Sequence, residues 1–297
     1  MSAEYIAIPS ARGDSLGAIT YWTLESGHNI DREEFLDALA TVGLDPKHGP
    51  IEPSTQVLLA RACKRAAGTR YIVRSKGSLV HVLCDESVKD DDRLLMGSAA
   101  TFCLETDANG GTSVKVLRDT IGLSSRIVGA YVEARSVFSP EDVSLWLTDS
   151  VERRHAVRLR GAGGVYFVPQ PRQEEWSLLA KVVAVTSEHR VQCVPALRVA
   201  EAADAVLDAL TRECEAMMDA MVKFVAEQDP EKSRTRATKT KLGQIDDLRG
   251  KLAVYAGALD CNLDAMQSRL KKMRATVEEQ SDLITATEVV AMVGGVA

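Results

Sequence analysis

Arg158 and Arg160 alternate with Val157 and Leu159 just ahead of a Gly161-Ala162-Gly163-Gly164 turn, and Arg153, Arg154 and His155 lie immediately upstream. Glycine-rich backbone leaves amides open to an anion, and guanidinium groups pair with phosphate, so this stretch is the best local anion patch in the chain. A phosphate-binding loop, however, joins a strand to a helix and carries Lys-Ser or Lys-Thr. Here the glycines lie between two expected strands, where a hairpin turn alone explains them. Side chains two apart on a strand share a face, so Arg158 and Arg160 form a basic strand face, of the kind that is usually solvated or paired with acids.

Arg61, Lys64 and Arg65 fall on an expected helix, followed by Arg70, Arg74 and Lys76 in an expected hairpin. The order helix, helix, hairpin occurs at about 32–84 and again at 123–168. Winged-helix modules read this way, and these cations would then contact DNA phosphates. A plain α+β domain with an ordinary charged helix face reads the same. A third basic cluster, Lys232, Arg234, Arg236, Lys239 and Lys241, is opposed by Glu231 alone in its stretch. It could touch nucleic acid or an acidic partner, or merely keep a bend in water.

Other chemistries find little footing. His81 and Cys84 are three apart on an expected strand and point to opposite faces. The five histidines are dispersed, no HExxH is present, and the six cysteines form no CxxC pair. No catalytic residue, metal ligand or cofactor site is expected. Scattered thiols fit a reducing compartment, no apolar run reaches the ~18–20 residues of a membrane span, and the first residues do not read as a signal peptide. A cytoplasmic protein is expected. The net charge is −6; from Val199 onward there are 13 basic and 17 acidic residues, leaving 23 and 25 before it (36 − 13 and 42 − 17). Bulk charge therefore gives no support to nonspecific nucleic-acid or membrane binding.

The elements that must position these residues follow from local signals. Strands are expected at Tyr5–Ile8 and Ala18–Leu24, and a helix capped by Asp31 and closed by Gly43. Ser54 caps a second helix that stops at Gly68. Strands at Arg70–Arg74 and Leu79–Cys84 form a hairpin, and the acidic run Lys89–Arg93 reads as a loop. Strands at Ala100–Glu105 and Ser113–Leu117 flank Asp107-Ala108-Asn109-Gly110-Gly111, a sequence that tolerates positive φ. Helices follow at Leu123–Val137, from Ser139-Pro140-Glu141 onward, and at about Gln173–Val185. A last strand, Val191–Val194, is expected to end at Pro195.

Beyond about Val199 the pattern turns helical. Val206, Leu210, Cys214, Met217, Met221 and Phe224 recur at steps of three and four, as do Leu242, Ile245, Leu248, Leu252, Tyr255, Leu259, Leu263, Met266, Leu270, Met273, Val277 and Ile284, with one four-four slip at Leu263. The pattern predicts two long helices, about 199–228 and 240–284, turning at Pro230 and meeting along a narrow seam.

The segment Gly163-Gly164-Val165-Tyr166-Phe167-Val168-Pro169 adds a resemblance. With its order of parts, the chain resembles a family of uncharacterised bacterial and phage proteins in which such a strand follows an α+β region and precedes long C-terminal helices. The resemblance implies architecture and a mobile-element origin, and it assigns no activity and no site residue.

The expectation is thus an α+β fold with several β-hairpins (1–120 and 121–197), followed by a C-terminal antiparallel coiled-coil helical hairpin (198–297). The expected function is non-enzymatic: an interaction or assembly protein, docking a partner or a second copy through Leu252, Leu259, Leu263, Met266, Leu270 and Met273. The alternatives are a nucleic-acid-binding protein using the three basic clusters, and an enzyme with a dispersed site.

Overall fold

The computed structural model describes residues 15–76, 80–88, 94–161, 163–227 and 235–294. In chain order the elements are β1 (Ser15–Thr23), β2 (Ile30–Asp31), α1 (Arg32–Thr41), α2 (Thr55–Ala67), β3 (Ile72–Lys76), β4 (Val80–Val88), β5 (Leu94–Thr106), β6 (Thr112–Asp119), α3 (Ser124–Ser136), β7 (Val137–Phe138), α4 (Pro140–Arg153), β8 (Val157–Arg158), β9 (Tyr166–Pro169), α5 (Gln173–Thr186), β10 (Arg190–Leu197), α6 (Ala200–Ala226), α7 (Thr235–Leu259) and α8 (Asp264–Gly294). The fold is mixed α+β with antiparallel sheets. The strand expected at Tyr5–Ile8 and the acidic loop Lys89–Arg93 lie outside the described residues.

The chain forms two compact units that interleave in sequence. The first takes 1–23, 148–181 and 190–297; the second takes 24–147 and 182–189. The expected in-order division at 120 and 197 differs because β1 pairs with β10, far along the chain, rather than with a neighbour.

In the second unit β3 to β6 form a meander in sequence order. One core joins Leu58, Leu59 and Cys63 of α2, Ile127 and Tyr131 of α3, and Leu83, Ala100 and Phe102 of the sheet. The helix boundaries are where local chemistry puts them. Asp31 accepts from the Glu34 amide and Ser54 from the Val57 amide, while Gly68 closes α2 at φ 58°. Asp119 caps the entry to α3, accepting from the amides of Ile121, Gly122 and Ser124 and from the Ser124 hydroxyl. These bonds, with Ser124 foremost, pull its carboxyl down to about 2.

In the first unit the sheet order is β10-β1-β9-β8, antiparallel throughout. The second expected helix–helix–hairpin repeat is therefore not a module. Its hairpin, β8 and β9, belongs to the sheet of β1 and β10, while α3 packs in the core of the second unit. Strand β10 also runs on through Pro195, which pairs with Ala18. A proline survives there because β10 is an edge strand, with only one neighbour to serve.

The C-terminal region holds three helices where two were expected. The second expected helix breaks between Leu259 and Asp264, at the slip in the apolar pattern. Asp260 takes φ 51°, the Cys261 amide closes back on the Ala256 carbonyl, and Asn262 accepts from the Asp264 amide. This closure is a Schellman-type stop followed by a fresh start. Helices α7 and α8 then fold back on each other, and Arg274 of α8 bonds Asp246 of α7 at 3.0 Å.

Candidate functional site

The seam expected to bind a partner is closed inside the chain. Leu252, Leu263 and Leu270 are buried, and Leu259, Met266 and Met273 pack against the same core. That core joins α6, α7 and α8 to Leu16, Val157, Phe167 and Ala196 of the strands. The apolar period was real, but its partner is the chain's own sheet and helices. Leu252, Leu263 and Leu270 are thus core, and Leu259, Met266 and Met273 are half-buried against it.

The basic clusters are partly consumed as well. Arg61 places both terminal nitrogens on Asp142, at 2.7 and 2.9 Å, and Arg65 pairs with Glu133 at 2.9 Å. Lys64 is exposed. Arg158 donates to the Tyr166 hydroxyl at 2.9 Å and lies 5.3 Å over that ring, while Arg160 is exposed. Lys241 bonds Gln244 and lies 5.8 Å over the Phe224 ring; Lys239 is exposed. Lys232, Arg234 and the Arg236 side chain lie outside the description.

What the first unit does offer is a cavity of about 420 Å³ lined by Asp149, Glu152, Arg153, His155, Glu213, Met217, Gln244, Asp247, Leu248 and Lys251. Three helices supply it at helical spacing: the last turns of α4, one face of α6 (Glu213, Met217), and one face of α7 (Gln244, Asp247, Leu248, Lys251). Its keystone is Lys251. Its ammonium is buried (side chain 8% exposed) and donates to Glu213 at 2.5 Å and to the Ala156 carbonyl at 2.6 Å. Four residues on, the buried Tyr255 hydroxyl donates to the Phe167 carbonyl at 3.2 Å. Together they tie α7 to both strands of the β8–β9 hairpin region.

His155 enters the wall by an unusual route. Its amide bonds the Glu152 carbonyl and the Ala156 amide bonds the Val151 carbonyl, the two bonds of a Schellman cap on α4. Glycine is the usual residue at that position because φ is positive. Here a histidine sits at φ 59°, a conformation that costs about 1–2 kcal/mol for a residue with a side chain. Burial pushes its imidazole below the ordinary histidine value, helped by Arg172 and Lys251 and opposed by Asp247.

The charge of the lining is lopsided. Asp149, Glu152, Glu213 and Asp247 stand against Arg153 and Lys251. Arg153 pairs with Asp149 at 2.8 Å and Lys251 with Glu213. Glu152 reaches Arg158 only at 3.5 Å, and among the described residues Asp247 has no ion-pair partner. Of the arginines read in sequence as an anion patch, Arg153 pairs with Asp149, and Arg154 donates to the Ser150 carbonyl at 2.8 Å with Glu175 nearby at 3.6 Å.

Residues 15–288 match the model of DUF6744, a family of unknown function. The chain belongs to that family. Neither a curated protein nor a solved structure matches it. Membership in DUF6744 carries no activity to any residue, so the site must be read from its own chemistry. Among the described residues no group of three His, Cys, Asp or Glu is placed to hold a metal ion, and no helix is long and apolar enough to cross a membrane.

Of the cavity residues, the sequence marks Arg153 and His155 as part of an anion patch, the opposite charge, and Met217 and Leu248 as members of the apolar rows. It passes over Lys251, Glu213, Glu152 and Asp247. One signal was available: Lys251 lies between Leu248 and Leu252 of the apolar row, where a lysine must find an anion or a carbonyl.

Proposed function

We propose that this DUF6744 protein acts by binding a partner rather than by making or breaking covalent bonds, and that it docks a basic side chain of a partner polypeptide in the acid-lined cavity. The observation that carries the reading is the pair of under-used carboxylates, Glu152 and Asp247, facing a cavity whose other charges are already matched. Its size lies in the ~300–1,000 Å³ range typical of ligand sites. Met217 and Leu248 offer apolar contact for the methylene stem of an arginine or lysine, while the carboxylates receive its head.

Two features favour binding over catalysis. The lining holds no hydroxyl or thiol that His155 could activate. Elsewhere, burial pushes the Cys63 thiol up to about 12 and that of Cys214 up to about 11, which keeps both protonated and unreactive. Self-association through the helical seam receives no support, since that seam is already core.

The test uses N-acetyl-arginine amide and its neutral isostere N-acetyl-citrulline amide as probes of the full chain, followed by NMR shift changes. Saturable binding of the arginine compound alone, weakened at least tenfold by Glu152→Gln with Asp247→Asn, is expected. Equal responses to both probes, or no effect of the variants, would overturn the reading.

A further inference from the structure

We infer that His155 is a proton-operated gate on that cavity: the neutral ring leaves room for a cationic side chain, and the protonated ring expels it. The inference rests on the cation-docking reading above. Three observations bring it together. First, the ring lines the same cavity as the four carboxylates, so a charge placed on it is felt where the ligand head would sit. Second, its backbone is fixed by two hydrogen bonds of the cap, and the ring packs against α7, where a methyl built on Gly250 would lie 3.7 Å from its Cε1 carbon. The ring cannot easily swing away from the charge it meets. Third, a residue with a side chain is held in a glycine conformation at this one corner of the cavity, although glycine would cap α4 with less strain.

The electrostatic surroundings set the direction. Facing His155 are Asp149, Glu152 and Arg153 from α4, Arg172 from the turn before α5, Glu213 from α6, and Asp247 and Lys251 from α7. Burial, Arg172 and Lys251 all disfavour the imidazolium, so the ring is neutral at pH 7. Acidification below the ordinary histidine value of 6.5 adds a positive charge to the lining at His155. Over the window from pH 7.5 to 5.0 the net charge of the lining becomes less negative as His155 takes up a proton. Proton and cationic ligand then compete for one site. By linkage the ligand must weaken proton uptake as much as the proton weakens the ligand.

The experiment measures the affinity of the full chain for N-acetyl-arginine amide from pH 7.5 to pH 5.0, in the natural protein and in His155→Asn. Asparagine tolerates positive φ and does not titrate, so the variant keeps the cap and removes the proton site. The readout is the slope with pH, not the absolute affinity. The natural protein should lose affinity by five- to tenfold across the window, and His155→Asn should give a flat line. A flat line for the natural protein overturns the gate while leaving the docking site standing. A fall of the same size in His155→Asn also overturns it, by assigning the proton to a carboxylate. Absence of binding at every pH removes the docking reading and the gate with it.

Discussion

Among the described residues, each unit holds an ion pair with one partner buried, and the two are built in opposite ways. In the second unit the acid is buried: Asp142 is 7% exposed, with Arg61 at 34%. Asp142 takes two bonds from Arg61 and two more from the Ser139 amide and hydroxyl, while the Ser139 hydroxyl accepts from the Asp142 amide. Burial alone would raise this carboxyl, yet the bonds from Arg61 and Ser139 outweigh it and hold it below the usual range. In the first unit the cation is buried: Lys251 is 8% exposed, and Glu213, at 34%, borders the cavity. A pair whose acceptors are all engaged only holds structure. A pair whose carboxylate borders a void, next to other under-used carboxylates, leaves a field for something else to answer.

The contrast can be broken experimentally, and the largest effect belongs to the saturated pair. Asp142→Ala should cost about 2–4 kcal/mol in urea unfolding, because the bonds from Arg61 and Ser139 and the reciprocal cap of α4 are lost together. Lys251→Met should cost less, about 1–3 kcal/mol, since Glu213 can turn to water while only the Ala156 carbonyl stays unpaired. Equal losses for the two variants would erase the distinction between closed and open pairs. Next comes Asp119→Ala, expected to cost about 1 kcal/mol at pH 7 through the lost cap of α3. Asp119 has its carboxyl lowered from 3.8 to about 2 in the fold. Its contribution is therefore complete above pH 3.8 and disappears as pH falls through about 2, a slope that the variant should lack. The smallest effect is His155→Gly, which should raise stability by about 1 kcal/mol by relieving the positive-φ strain. No gain in melting temperature would mean that the ring's packing offsets that strain.

Histidines add a shared pH signature. Burial lowers His81 and His189 in the second unit and His155 in the first. Each favours the fold fully above the ordinary value of 6.5 and loses that contribution as pH falls below it, so acidification to pH 5 should destabilise both units. Unfolding midpoints unchanged between pH 7 and 5 would contradict the burial of His81 and His189, each of which keeps its Nε2 without a bond.

Much of the local structure was legible because its causes are local. Asp31, Ser54 and Ser139 cap the helices they precede, and Gly43 and Gly68 close theirs at positive φ. Asp107-Ala108-Asn109-Gly110-Gly111 turns β5 into β6. What escaped was decided at a distance. The apolar row from Leu242 to Ile284 slips at Leu263, but a slip of one residue does not announce that Asp260 would adopt a left-handed turn and send α8 back along α7. Pro195 reads as a strand end until the partner of β10 is known to lie on one side only. The cavity was illegible for the same reason: Glu152, Glu213 and Asp247 are ordinary surface acids until three helices bring them around Lys251.

The pairing of Thr23 with Arg190 has a consequence for the order in which the protein comes into being. During synthesis β1 leaves the ribosome early and has no sheet to join until β8, β9 and finally β10 emerge, roughly 10–30 s later at ordinary elongation rates. Nearly the whole second unit is made in that interval and can settle first. The first unit, cavity included, can assemble only after β10 and the helices that follow it have emerged, so a chain stalled before β10 carries β1 as an unmatched strand and no cavity.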